Sequence, residues 1–158
     1  MAAEYSSNSL QTVNANAAVL FTESPVPCNR GLVYHRDESG AFLLASTMCC
    51  NRGRCCCGQW VMPSTVYSVA FHCNVQIPEG GTVEPISLAL VVDGEVDPSS
   101  IMTVTPAAVQ EAFNVGAEIL VSVPAICGCN KVSVRNIGTA PVEVSNANIV
   151  FDLSGVRR

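Results

Sequence analysis

Cysteine is the residue type with the most chemistry to offer in this 158-residue chain, which has nine of them. Five are packed into one short stretch as Cys49, Cys50, Cys55, Cys56 and Cys57. Cys127 and Cys129 flank a glycine, and Cys28 and Cys73 stand alone. Three chemistries compete for the clustered thiols. Four thiolates in tetrahedral array hold a structural zinc, and the Cys49–Cys57 loop with Cys127 and Cys129 has donors enough. Against this, the usual Cys-x-x-Cys pairs do not recur, and adjacent cysteines in extended chain point to opposite sides. The same thiols form disulfides if the protein leaves a reducing compartment; an odd count then leaves one over or links subunits. Or they stay reduced and idle, as Cys28 and Cys73 are expected to do when packed as small apolar residues. Beyond that zinc, the sequence calls for no cofactor.

The other reactive types combine poorly. His72 adjoins Cys73, but neighbours in a strand face opposite ways, and no flanking motif marks His35 or His72 as a catalytic base. Glu79, Glu84, Asp93, Glu95 and Asp97 form an acidic stretch without the ligand spacing of a calcium loop, so a solvated loop is expected. Trp60 follows the cysteine loop and is expected to anchor it. No glycine-rich phosphate cradle occurs. These residues predict no enzyme.

Composition narrows the partners. Nearly half the residues are hydrophobic (49%) and only 13% are charged, which excludes a disordered chain and suggests that part of the surface is hidden against neighbours. Net charge is −5. Lys131 is the only lysine, and the arginines are scattered apart from the terminal Arg157 and Arg158, so no basic stripe invites nucleic acid. No window has the run of apolar residues that a membrane helix needs. The first sixteen residues lack the features of a signal peptide, and no Asn-x-Ser/Thr sequon occurs. Synthesis in a cytoplasm is expected, with any exit by lysis, by the death of a mother cell or by a non-standard route.

The elements that must position these groups read as strands. Valine-rich apolar runs alternate with Gly, Pro, Asn and Asp clusters. Strands are predicted over 15–22, 31–36, 41–46, 65–77, 86–92, 101–105, 114–123, 131–136 and 142–153. Asp93-Gly94 is a two-residue hairpin turn. The unbroken run Ile86–Val92 suits a central strand covered on both faces. Thr105-Pro106 opens a possible short helix over 105–112. The predicted fold is all-β, a single-domain jelly-roll sandwich of about eight to ten antiparallel strands over residues 14–153. A polar N-terminal arm (1–13) and a C-terminal tail (154–158) flank it.

Several motifs are shared with a known group. They are Asn14-Ala-Asn-Ala-Ala-Val-Leu-Phe21, Pro25-Val-Pro-Cys28, His35-Arg-Asp-Glu-Ser-Gly-Ala-Phe42, Tyr67-Ser-Val-Ala-Phe71, Ile86-Ser-Leu-Ala-Leu-Val-Val-Asp-Gly-Glu95 and Val144-Ser-Asn-Ala-Asn-Ile-Val150. In this order and spacing, over about residues 14–153, the chain resembles the jelly-roll heads of the tumour necrosis factor and complement globular-head superfamily. It is most similar to the heads of bacterial exosporium collagen-like proteins and to short proteins from phages and prophages of gut Firmicutes. The collagen stalk is missing, and the cysteine-rich insertion between Met48 and Trp60 departs from the pattern. The resemblance implies a ten-stranded jelly roll, a homotrimer, and a role in display, adhesion or assembly rather than catalysis; that step from fold to role is analogy.

The expectation that follows is a virion structural protein, such as a capsid decoration or head-fibre protein made in the host cytoplasm. Its partners would be itself and a capsid or other particle protein. The arm, through Tyr5, Leu10 and Val13, would order only on assembly, and removing residues 1–12 would leave the domain folded. The alternative is a spore- or cell-surface module that binds a receptor or glycan.

Overall fold

The computed structural model describes residues 2–28, 31–36, 39–46, 64–124 and 128–157. They form two antiparallel sheets of six strands each. The first runs β10 (Phe113–Val123), β6 (Ser64–Gln76), β12 (Val142–Arg157), β1 (Ala2–Ser7) and β3 (Glu23–Val26), with β2 (Gln11–Val13) also on β12. The second runs β4 (Val33–Arg36), β5 (Ala41–Ala45), β11 (Cys129–Asn136), β7 (Ile86–Val92) and β8 (Glu95–Val96), with β9 (Met102–Val104) beside β7. The all-β jelly-roll architecture is the one predicted.

Side-chain alternation explains the two layers. In β6, Tyr67, Val69, Phe71, Cys73 and Val75 are buried, while Ser68, Ala70, His72 and Asn74 face outward. The inward rows of both sheets interdigitate around Phe21, Phe42, Phe71 and Phe151, with Phe42 4.8 Å from Phe151 and 5.3 Å from Phe21 between ring centroids. Each such ring contributes roughly 1.5–3 kcal/mol by leaving water. In β7, Leu88, Ala89, Leu90 and Val91 are all buried, as the unbroken run implied. Asp93 (φ 52°) and Gly94 (φ 94°) make the tight turn between β7 and β8. This turn needs positive φ at both central positions.

The termini depart from the expectation. Residues 1–13 are not an arm: β1 pairs with β12 on one side and β3 on the other, and β2 pairs with β12. Tyr5 and Val13 are core residues, and only Leu10, in the turn between β1 and β2, is exposed. Nor is 154–158 a tail, because β12 stays paired with β6 as far as Arg157. Residues 15–22 make one isolated bridge, Ala18 to Arg135, instead of a strand. The segment is pinned to β11 through Asn16 N–H to Asn136 O and Val19 N–H to Val134 O. Residues 105–112 form turns rather than a helix. The Glu111 carboxylate accepts the Ala107 and Ala108 N–H groups within the segment, and the Gln110 N–H goes to Ile77 O instead of to a carbonyl one helical turn back. The helix near Pro98–Ser100 is a single 3-10 turn capped by Asp97.

Candidate assembly face and the cysteine-bearing end

Strand pairing decides the end of the fold at which Cys28 and Cys129 lie. Cys129 starts β11 opposite Ala45, the end of β5, and is exposed. The next residue, Ser46, donates its N–H to Gly128 O and places its hydroxyl 3.2 Å from that of Thr65 in β6. Ser46 and Gly128, which border two cysteine-bearing stretches of the sequence, are therefore neighbours. Cys28 sits at the same end, where the Val33 N–H approaches its Sγ at 3.4 Å. Cys49, Cys50, Cys55, Cys56, Cys57 and Cys127, like Trp60, lie outside the described residues. Among the described residues, no group of three or more His, Cys, Asp or Glu is placed to hold a metal.

Cys73 lies far from this end of the fold, fully buried, with its thiol pushed up to about 12 by desolvation. His72, its neighbour, is exposed on the opposite face of β6, so the two do not form a thiolate–imidazole pair. His35 is stacked on Phe42 at 4.6 Å and lies beside Tyr5 at 5.2 Å, inside the aromatic core. Burial also raises the Tyr67 hydroxyl to about 12, with the nearby Cys28 adding to it; that hydroxyl donates to Ala45 O. Tyr5 is raised by burial as well, while a backbone hydrogen bond at Cys28 works the other way.

The acidic stretch is local scaffolding. Asp97 accepts from Ser99 N–H, Asp93 accepts from Lys131 N–H and the Asn130 amide, and Glu84 accepts from the Thr139 hydroxyl. Glu79 and Glu84 line a cleft of about 450 Å³ at the end opposite the cysteines. No aromatic, histidine or cysteine is among the described residues that line it.

Two residues that hold this fold together were not apparent from sequence. Buried Asn136 donates to Val13 O and Ala140 O and accepts from Gly138 N–H, tying β2, β11 and the 138–141 turn. Buried Ser100 bonds both Leu90 N–H and Asp97 O. A polar residue at an inward strand position was the available signal for Asn136.

The remaining feature is a broad sheet face with one open edge. β10, eleven residues long, pairs only with β6 among the described strands. Asn114, Gly116, Glu118, Leu120 and Ser122 point outward from it, and Leu120 is 60% exposed. Across β6, β12 and β1 the face continues as Ser68, Ala70, Val150, Asp152 and Glu4, in register with β10. Its glutamates are matched within the sheet: Ser68 donates to Glu118 at 2.5 Å, and Asn148 to Glu4 at 2.6 Å. The face is built mostly of small and polar side chains, with Leu120 its exposed large apolar residue on β10.

This two-sheet layout recurs in solved structures. The globular domain of a zebrafish complement 1qA protein superposes with a TM-score of 0.63 at 13% identity, covering 99% of this chain and 98% of that one. The tumour necrosis factor Eiger of S. frugiperda gives 0.61 at 12% identity, covering 100% and 92%. The chain has the complement-head and tumour necrosis factor jelly-roll fold. No protein-family model matches the sequence, and no curated protein does. Among the described strands β10, with its outward Leu120, pairs on one side only, and such an edge is one that folded proteins cover or charge.

Proposed function

We infer that the protein is a non-catalytic structural head that self-associates as a homotrimer and decorates the surface of a particle, a virion in the first instance. The observation that carries this reading is the long edge strand β10 with exposed Leu120, set on a face of mostly small and polar side chains in a jelly-roll fold. Burying that edge against a second copy removes an apolar side chain and a row of unpaired backbone groups from water. The N-terminal segment is in the sheet and is not available as an attachment arm, so attachment falls to surfaces of the assembled head.

Native mass spectrometry of the full chain without reductant tests the assembly. A trimer that Leu120→Glu converts to monomer, with the circular dichroism spectrum kept, is the expected result. A monomer at every concentration overturns the self-association reading. Mass spectrometry of purified virions from cells that carry the gene tests the location. The chain among the virion proteins supports it, and the chain on spores or cell envelopes alone replaces the virion with a display role.

A further inference from the structure

The outward face of the second sheet carries the opposite charge. Register places Tyr34 beside Leu43 and Leu43 beside Lys131, then Arg36 beside Ala41 and Ala41 beside Ser133. Arg135 follows two positions further along β11, beside Ala89. Arg36 thus shares one face with Lys131 and Arg135, two cations of a strand about a hundred residues further along the chain. At strand spacings of about 4.8 Å, Arg36 lies about 10 Å from the β11 column, and Lys131 and Arg135 each lie about 7 Å from Ser133. Small side chains at Ala41, Ser133 and Ala89 keep the surface between them low. The described charged side chains on the outward face of the first sheet are acidic instead, namely Glu4, Glu118, Glu143 and Asp152. Asp93, beside Lys131, is an acid among these cations, so the described charges differ in net sign between the two faces without either sign being exclusive to the second.

A cleft of about 260 Å³ opens on the basic face, lined by Asp93, Gly94, Lys131, Ser133 and Arg135. Asp93 is committed to the Lys131 N–H and the Asn130 amide, both at 2.7 Å. The Arg135 Nε is buried with no hydrogen-bond partner among the described residues, and an unmet buried donor is costly until an acceptor arrives. Tyr34, 61% exposed, lies across Leu43 from Lys131.

We propose that this face docks an acidic polysaccharide. Lys131 and Arg135 take one carboxylate or sulfate at the cleft through charge-assisted hydrogen bonds. Arg36 takes a second anionic group about two strand spacings away, and the exposed Tyr34 ring packs against the sugar between charges. Three cations on one flat face are few for a duplex phosphate backbone, where binding proteins make about 6–10 such contacts. An aromatic among cations suits sugar rings better than an acidic protein surface.

The full chain is passed over immobilised heparin, polygalacturonate, neutral dextran, poly-glutamate and duplex DNA, and affinities are read by surface plasmon resonance at several salt concentrations. Retention by heparin or polygalacturonate but not dextran is expected, weakening as salt rises. The paired change Arg36→Gln with Lys131→Gln, both at exposed positions, reduces affinity by about tenfold or more. Arg135→Lys keeps the charge but removes the Nε donor and still weakens binding, whereas Glu118→Gln on the opposite face does not. No retention on either acidic polysaccharide, or retention that the paired change leaves intact, overturns the proposal. Equal or tighter binding to poly-glutamate or DNA overturns it in favour of another polyanion. Because β10 and Leu120 belong to the opposite sheet, the Leu120→Glu monomer still binds the polysaccharide, so this proposal and the trimer reading fail separately.

Discussion

Deleting residues 2–13 is expected to unfold the protein. β1 lies between β12 and β3, and Ala3, Tyr5 and Val13 are 0%, 5% and 2% exposed. The Tyr5 ring packs 4.9 Å from Phe42, 5.2 Å from His35 and 6.2 Å from Phe151. Removing a buried ring from such a site costs roughly 3–5 kcal/mol, and Val13 adds about 2 kcal/mol of lost burial. The ladder bonds of β1 to both neighbours are lost as well, leaving an open edge on β12. Against a total stability of roughly 5–15 kcal/mol, these losses leave little. Tyr5→Ala isolates the ring; a loss of about 4 kcal/mol lowers Tm by roughly 8–16 °C at 2–4 °C per kcal/mol for a domain of this size. Tyr5→Phe keeps the ring and costs only about 1 kcal/mol. Urea and thermal melts followed by circular dichroism give all three values. A truncated chain starting at Asn14 that melts cooperatively within a few degrees of the full protein would refute the reasoning and restore the dispensable arm.

Asn136→Ala leaves Val13 O and Ala140 O without their donor in a buried setting, for a loss of about 3 kcal/mol; a urea midpoint unchanged from the parent would contradict it. Burial pushes Cys73 from 9.0 and Tyr67 from 10.0 up to about 12, so the folded state keeps protons that the unfolded chain gives up. Stability is then full below about pH 9 and falls as pH climbs toward 12, by about 1.4 kcal/mol per pH unit for each group; urea midpoints that stay level from pH 7 to pH 11 would count against this. Cys73 also resists a thiol reagent in native buffer while Cys129, exposed, reacts; peptide mapping after labelling separates them. Because the described residues by themselves assemble a continuous core between two paired sheets, EDTA and reductant are expected to leave the far-ultraviolet circular dichroism spectrum unchanged, and unfolding by either would make a metal or a disulfide essential to the fold.

Long strands were legible because burial imposes a pattern on them. Ile86–Val92 is covered on both faces, and the 65–77 run alternates Val, Phe and Cys inward with Ser, Ala and His outward. β1 was illegible for the same reason in reverse. Ala-Ala-Glu-Tyr-Ser-Ser contains one large apolar residue, and its extended form comes from β12 and β3 on either side, not from propensity. Residues 15–22 look like a strand by composition, yet Asn16 takes φ 62° and the segment is held to β11 by scattered bonds. The helix signal at Thr105-Pro106 lost to the Glu111 carboxylate, which folds back within the segment onto the Ala107 and Ala108 N–H groups, and to Ile77 O, a distant partner in sequence that takes the Gln110 N–H. For the candidate site, sequence showed the cysteine clusters but not that Ser46, Thr65 and Gly128, which border them in the chain, meet at one end of the sandwich. Alternation along 131–136 already sets Lys131 and Arg135 on one face, but that Arg36 joins them depends on strand register.

The opposite charges of the two sheet faces raise a rival to the trimer that geometry can decide. Pairing the acidic face of one copy with the basic face of the next joins surfaces on opposite sides of a flat sandwich. Such a heterologous contact repeats along a line and does not close, so it yields open stacks. A closed ring of three instead needs contact surfaces inclined to each other, such as an edge and the face beside it, and β10 with Leu120 supplies both. The glutamates of the first sheet are already matched by Ser68, Asn148 and Gln76, which lessens the pull of a partner's cations. The trimer reading therefore predicts a fixed particle mass by static light scattering as protein concentration rises and as salt falls. Mass that grows with concentration at low salt and collapses at high salt would show that face-to-face stacking, and not the β10 edge, organises this protein.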